Sequence, residues 1–218
     1  MVPTLLQTVL AFTLIFFAWG PDDWRGFFAE PARAGLVVMV VLGLVAMLAL
    51  RLDVRLFRKG TRPLGRQRYL LPVIMLVGLS LVIFLPYADR RGLLTFAASG
   101  GLRWLGLGLY GVGNVLGFAA VRTLGKQYSG YVTLQENHQL VQTGIYGIIR
   151  HSIYLRALLV MIGLPLIFRS WLFLVMLPLG VVFVAARIRA EEKLLAEQFG
   201  AEFEAYRRRT WRLVPYLY

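Results

Sequence analysis

The side chains of this chain that could do chemistry are concentrated in its second half. Between residues 138 and 154 stand His138, Tyr146, Arg150, His151, Ser152 and Tyr154, with Gly144 among them; Glu191, Glu192 and Arg212 follow later. Imidazoles, guanidinium groups, aromatic hydroxyls, a flexible glycine and a carboxylate pair together can hold a charged, nucleotide-like ligand. The same inventory excludes other chemistries. Without a cysteine there is no disulfide, no thiolate nucleophile and no Cys-based metal site. Two histidines are too few for an ordinary zinc centre, so no metal is expected.

The elements that must position these groups are apolar. The chain is 58% hydrophobic and 16% charged, with a mean hydropathy of +0.66, far outside the usual globular balance. Uncharged runs cover Met1 to Pro21, Ala34 to Leu50, Tyr69 to Ala88, Trp104 to Val121 and Ser170 to Ala186. Each is near the roughly 20 residues that span hydrocarbon. A sixth run, Ser152 to Phe168, contains Arg156 and would be roughly 25 Å long as a helix, which suits a shallow or tilted segment. Arg156 is also a functional candidate by default, as any intramembrane charge is, although it lies near the interface.

Backbone groups in lipid must be satisfied within their segment, and none of these runs alternates at period two, so they are helices rather than barrel strands. Phe168, Arg169 and Ser170 interrupt the apolar stretch from Ile153 to Ala186 and predict a tight hairpin. The first segment lacks a basic leader and reads as a retained helix. The fold class is therefore all-α: a polytopic membrane helix bundle with about six transmembrane helices, the last two a tight hairpin, plus a cytoplasmic C-terminal amphipathic helix. Residues 1–121 form a four-helix transmembrane region, and residues 122–218 form the catalytic region.

The formal charge of +13 is distributed unevenly. The loops at 51–68 and 122–151 and the tail carry seventeen of the 24 Lys and Arg, whereas Arg25, Arg33, Arg90, Arg91, Arg103 and Arg169 lie on the other side. The positive-inside rule then places both termini in the cytoplasm. The charge reflects topology and attraction to anionic lipid, worth about 1 kcal/mol per residue near the surface, and no nucleic-acid partner is expected.

Two further patterns bear on the site. Gly106, Gly108, Gly111, Gly113 and Gly117 give the fourth helix a small-residue face beside Asn114. Such a face either packs a neighbouring helix closely or borders a cavity for cofactor or lipid tail. In the tail, Ile188, Leu195, Phe199, Phe203 and Tyr206 fall within roughly 60° of Glu192 on a helical wheel. Glu192 thus lies in an apolar stripe, where a carboxylate needs a cation or several donors. Gly200 permits a break, and Pro215 closes the segment.

Taken together, His138, Leu140, Val141, Gly144, Tyr146, Arg150, His151 and Tyr154, then a hairpin, then Glu191, Glu192, Leu195, Phe199, Gly200, Tyr206, Arg209, Arg212, Leu213 and Pro215 form an ordered pattern. Over residues 122–218 it resembles the isoprenylcysteine carboxyl methyltransferase family, with its relatives among phospholipid methyltransferases. One position departs: Ser152 stands where that family has proline. The resemblance implies methyl transfer from S-adenosylmethionine to a lipid-like acceptor. It implies cofactor binding by His138, Leu140, Val141, Gly144, Tyr146, His151, Tyr154, Glu191 and Glu192. Arg150, Arg187 and Arg212 are the candidates for holding an acceptor carboxylate, and Glu192 joins them as a catalytic candidate. The acceptor class stays open between an isoprenylcysteine-like carboxylate and a phospholipid amine or small thiol, and a non-catalytic membrane protein of the same fold is the third alternative. Membrane lipids are partners in each case.

Overall fold

The computed structural model describes residues 2–50, 67–97, 100–129 and 139–217. Its α-helices are α1 (Val2–Trp19), α2 (Trp24–Ala29), α3 (Pro31–Ala49), α4 (Gln67–Arg91), α5 (Gly100–Leu124), α6 (Ser152–Ile167), α7 (Phe173–Phe199) and α8 (Ala201–Arg208). Among the described residues there is no strand, only the isolated bridges Thr95 to Ser170 and Ile149 to Trp211. Each of the six apolar runs has become a helix. Among the described residues, four of these (α3, α4 from Pro72 onward, α5 and α7) are long and apolar enough to cross a membrane, whereas α6 is shorter at 16 residues. Their outward faces carry exposed Val41, Leu42, Leu76, Val115 and Val182, as lipid-facing surfaces do.

The α6–α7 hairpin turns at the expected residues. Arg169 adopts φ 53°, Ser170 is buried, and its NH donates to Pro165 O at 2.8 Å. The tail differs from expectation. No break separates the last membrane segment from the amphipathic helix, because α7 runs unbroken for 27 residues, roughly 40 Å at 1.5 Å per residue. Residues 185–199 contain neither glycine nor proline, so nothing stops the helix before Gly200, whose φ of 48° suits glycine. Only α8 is a separate short amphipathic helix.

Helix α5 lies along α6, and the glycine face is what brings them together. A Cβ on Gly106 would stand 2.7 Å from Gly163 O, and one on Gly163 would stand 2.7 Å from Gly106 O. Gly113 and Gly117 meet Leu159, Val160 and the Arg156 side chain. At these positions the small residues serve close helix packing.

The far end of α6 is held by a buried ionic cluster. Asp89 on α4 accepts hydrogen bonds from Arg33 Nη1 at 2.6 Å, Arg169 Nε at 2.7 Å and Arg103 Nη1 at 3.2 Å. Arg33 also donates to Phe27 O and Gly26 O and lies over the Trp19 ring. Arg103 donates to Ile167 O and pairs with Glu30 at 3.4 Å. The cluster ties α2, α3, α4, α5 and the hairpin turn into one body beside the core of Trp19, Phe27, Leu36, Leu85, Leu107, Ile167 and Phe168.

Candidate active site

At the opposite end of α6, the loop of residues 139–151 is clamped by the chain after Gly200. Gly144 opens a single 3-10 turn, Gly144–Gly147, in the left-handed region at φ 56°, with Thr123 Oγ1 2.7 Å from where a Cβ would stand. Both constraints require glycine there. The turn buries Tyr146, whose carbonyl accepts from Tyr206 Oη at 2.7 Å. Residues 148–151 then pair with 211–212 through Trp211 NH to Ile148 O, Arg150 NH to Trp211 O and His151 NH to Arg212 O, at 2.8, 2.9 and 3.1 Å. Gln142 adds links to Glu202 and Arg209.

Glu192 is the hub of this end. Only 7% exposed, it receives a forked pair from Arg212, Nε to Oε1 at 3.1 Å and Nη2 to Oε2 at 2.6 Å. His151 Nε2 lies 3.2 Å from Oε1, and Arg150 Nε lies 3.5 Å away. The expected partner for a carboxylate in the apolar stripe is therefore present three times over, drawn from the loop and the tail. Bidentate arginine pairing of this kind fixes geometry as well as charge. Because Glu192 can only accept, Nε2 carries a proton, which in the neutral ring leaves Nδ1 as an acceptor.

Arg150 is also committed to the protein. Its Nη1 donates to Arg207 O at 2.9 Å, to Thr210 Oγ1 at 3.0 Å and to Thr210 O. Burial lowers its pKa, and the Glu192 charge opposes that fall. Burial likewise pushes Tyr206 up to about 12 and raises Tyr146 further. Arg187 lies on the other flank, with Nε 3.3 Å from Tyr154 Oη and its charge near the Tyr154 and Phe183 rings. Glu191 is half-buried, 3.9 Å from His151 Nδ1. His151 Nδ1, Arg150 Nε and Ser152 Oγ are buried with no hydrogen-bond partner among the described residues.

The structure thus gathers Arg150, His151, Glu192 and Arg212 in one cluster. Tyr146, Tyr154, Glu191 and Arg187 surround it, and Leu140 and Val141 lead into it half-buried. His138 lies outside the described residues. Thr210, Gln142 and Glu202 are site-building residues without a sequence signal, since one hydroxyl after an arginine run and two exposed polar side chains look like ordinary surface. Tyr206 could have been found from its place in the apolar stripe.

The sequence around this site is similar to that of known proteins. Residues 102–202 match the phospholipid methyltransferase family model. The protein-S-isoprenylcysteine O-methyltransferase of Saccharomyces cerevisiae is 35% identical over 101 residues, which cover 45% of this chain and 42% of the yeast protein. The aligned region spans less than half the length of that relative. A solved structure of a eukaryotic intramembrane Ras methyltransferase, an isoprenylcysteine carboxyl methyltransferase, superposes with a TM-score of 0.49 at 20% identity, covering 99% of this chain and 86% of that one. The motif resemblance and the sequence matches therefore point to the same group of membrane methyltransferases.

Proposed function

We propose that the protein transfers the methyl group of S-adenosylmethionine to the carboxylate of an isoprenylcysteine-like amphiphile at the cytoplasmic face of the membrane. The observation that carries this reading is the loop of residues 139–151 held against Glu192 by Arg212; the loop and Glu192 lie inside the region that matches the phospholipid methyltransferase family model. The residues present suit the cofactor. The buried, unpartnered His151 Nδ1 and the half-buried Glu191 carboxylate offer acceptors for hydroxyl or ammonium groups, and the Tyr146 and Tyr154 rings suit a cation. Leu140, Val141, Gly144 and His138 complete the proposed cofactor set.

S-adenosylmethionine, when bound, supplies a sulfonium methyl whose C–S bond breaks as the acceptor oxygen takes the methyl group. A carboxylate, with a reference pKa near 4, is already ionised at neutral pH, so no general base is required. The protein's work is alignment and exclusion of water, which together can supply several kcal/mol. In this reading Glu192, Arg212 and Arg150 act by holding the walls of the site: the latch joins α7 to the tail, and the tail holds the loop. Residues 122–218 form the catalytic region, with α5 as its packed wall.

The description of the matching family favours a second acceptor class, a lipid amine, which would need a group to take its proton; Glu191 is the half-buried carboxylate in place for that. One assay separates the two. Purified protein in nanodiscs receives methyl-labelled S-adenosylmethionine with either a prenylated N-acetylcysteine or phosphatidylethanolamine. Base-labile label, the mark of a methyl ester, is expected on the cysteine derivative and absent with Glu192→Gln. Base-stable label on the lipid would transfer the proposal to the amine, and no label on either would overturn it.

A further inference from the structure

The arginines around the candidate site differ in how their charge is met. Arg212 is forked onto Glu192, and Arg150 is enclosed by Glu192, Thr210 and the Arg207 carbonyl. Neither has a guanidinium edge to offer an acceptor without dismantling the latch. Arg156, one turn further into α6 than Ser152, is exposed on the outside of the bundle. Among the described residues no carboxylate pairs with it, and its polar contact is a 3.5 Å approach of Nη2 to Asn114 Oδ1. Asn114 is itself tied to Tyr110 O at 2.8 Å.

The course of the side chain has a direction. The Arg156 carbonyl lies against Gly113, 3.3 Å from where a Cβ would stand, whereas Cδ and Nε lie 2.2 and 2.6 Å from the corresponding point on Gly117. Gly117 is one turn nearer the C-terminal end of α5, the end that leads to Tyr128. The arginine stem therefore lies along α5 at Gly117, in space that any side chain at 117 would fill, with the guanidinium beside Asn114 Oδ1. Its charge reaches the buried Tyr128, whose hydroxyl burial pushes up and Arg156 pulls down. On α6, residues four apart share a face, so Arg156 stands directly beyond Ser152. A guanidinium at the membrane edge of a methyl-transfer site is costly unless an anion meets it, and among the described residues no carboxylate does.

We propose that Arg156 reads the head group of the methyl acceptor, binding the ionised carboxylate of a membrane-inserted amphiphile and releasing the neutral ester. The proposal rests on the carboxyl methyltransferase reading above and adds to it a specificity-determining residue and a reason for product release. Methylation removes the acceptor's charge, so the attraction that recruits the acid vanishes in the product. Because no carboxylate among the described residues pairs with Arg156, that attraction is not offset beforehand by them.

The test is equilibrium binding, which does not depend on turnover. A prenylated N-acetylcysteine and its methyl ester are titrated into purified protein in zwitterionic nanodiscs, with wild type, Arg156→Gln, Arg156→Lys and Gly117→Ala. Wild type is expected to bind the acid at least about tenfold more tightly than the ester, the scale of one charged hydrogen bond. Arg156→Gln is expected to erase that preference through the acid alone, Arg156→Lys to keep part of it, and Gly117→Ala to reduce it by displacing the stem. Equal binding of acid and ester to wild type, or an unchanged preference in Arg156→Gln, would overturn the proposal. Loss of the Arg156-dependent part on adding phosphatidylglycerol would also overturn it, by assigning the cation to lipid phosphate. Acid preference lost in Arg156→Gln, in a protein that never methylates the acid, would keep the Arg156 site and remove the reaction. Methylation with an unchanged KM in Arg156→Gln would do the reverse.

Discussion

The two ends of α6 carry similar clusters put to different use: a buried carboxylate surrounded by three basic side chains, all arginine at Asp89 and two arginines with a histidine at Glu192. At Asp89, Arg33 and Arg103 are nearly as buried as the acid, and each arginine of the set also reaches a backbone carbonyl. At Glu192, the partners come from a loop and a tail rather than from packed helices, and three neighbouring polar atoms, His151 Nδ1, Arg150 Nε and Ser152 Oγ, make no hydrogen bond among the described residues. The first cluster is saturated and belongs to the fold. The second joins a loop to the tail and keeps unmet hydrogen-bonding capacity among the described residues, which suits a site that must receive a ligand.

If this contrast holds, substitutions at the two ends should separate stability from activity. The largest effect is expected for Asp89→Asn, which leaves buried guanidinium groups uncompensated and should lower stability by about 3–5 kcal/mol, read by thermal unfolding in detergent. The surviving folded fraction should keep its affinity for S-adenosylmethionine. Arg212→Ala should abolish turnover at a smaller stability loss, about 1–3 kcal/mol, and should raise hydrogen exchange in residues 200–217; exchange confined to α7 would contradict the latch. Arg212→Lys should rescue little, because a point charge cannot reproduce the fork.

A smaller effect is expected from Thr210→Val, which removes one acceptor from Arg150 and should cost about 1–2 kcal/mol with a measurable rise in KM for the cofactor. Unchanged unfolding in that variant would show that the Thr210 and Arg207 carbonyls suffice. The smallest is Ser152→Ala. Ser152 Oγ makes no hydrogen bond of good geometry among the described residues, so its removal should change stability by less than about 1 kcal/mol. A clear destabilisation would reveal a partner for Ser152 Oγ.

Much of the second cluster was legible in the sequence, because its parts are carried by local signals. The wheel places Glu192 in the apolar stripe and so demands a cation, and the Arg150–His151 pair and Arg212 supply it. Gly200 and the Phe168–Arg169–Ser170 interruption mark real turns, each with a residue at positive φ. The Asp89 cluster was not legible. Its hydrogen bonds join residues 56, 14 and 80 apart in sequence, and the charge count treated Arg33, Arg103 and Arg169 as loop charges. The continuity of α7 was missed for the opposite reason: the change from apolar to amphipathic composition near Arg187 looks like a boundary, although helix propensity does not change there.

Calorimetric titration of S-adenosylmethionine into wild type, Glu192→Gln and Asp89→Asn, all in the same detergent, tests the central claim most directly. Saturable binding is expected in wild type and in folded Asp89→Asn and should be lost in Glu192→Gln. Absence of binding in wild type, or binding that survives at Glu192 and disappears at Asp89, would contradict the assignment of the two ends.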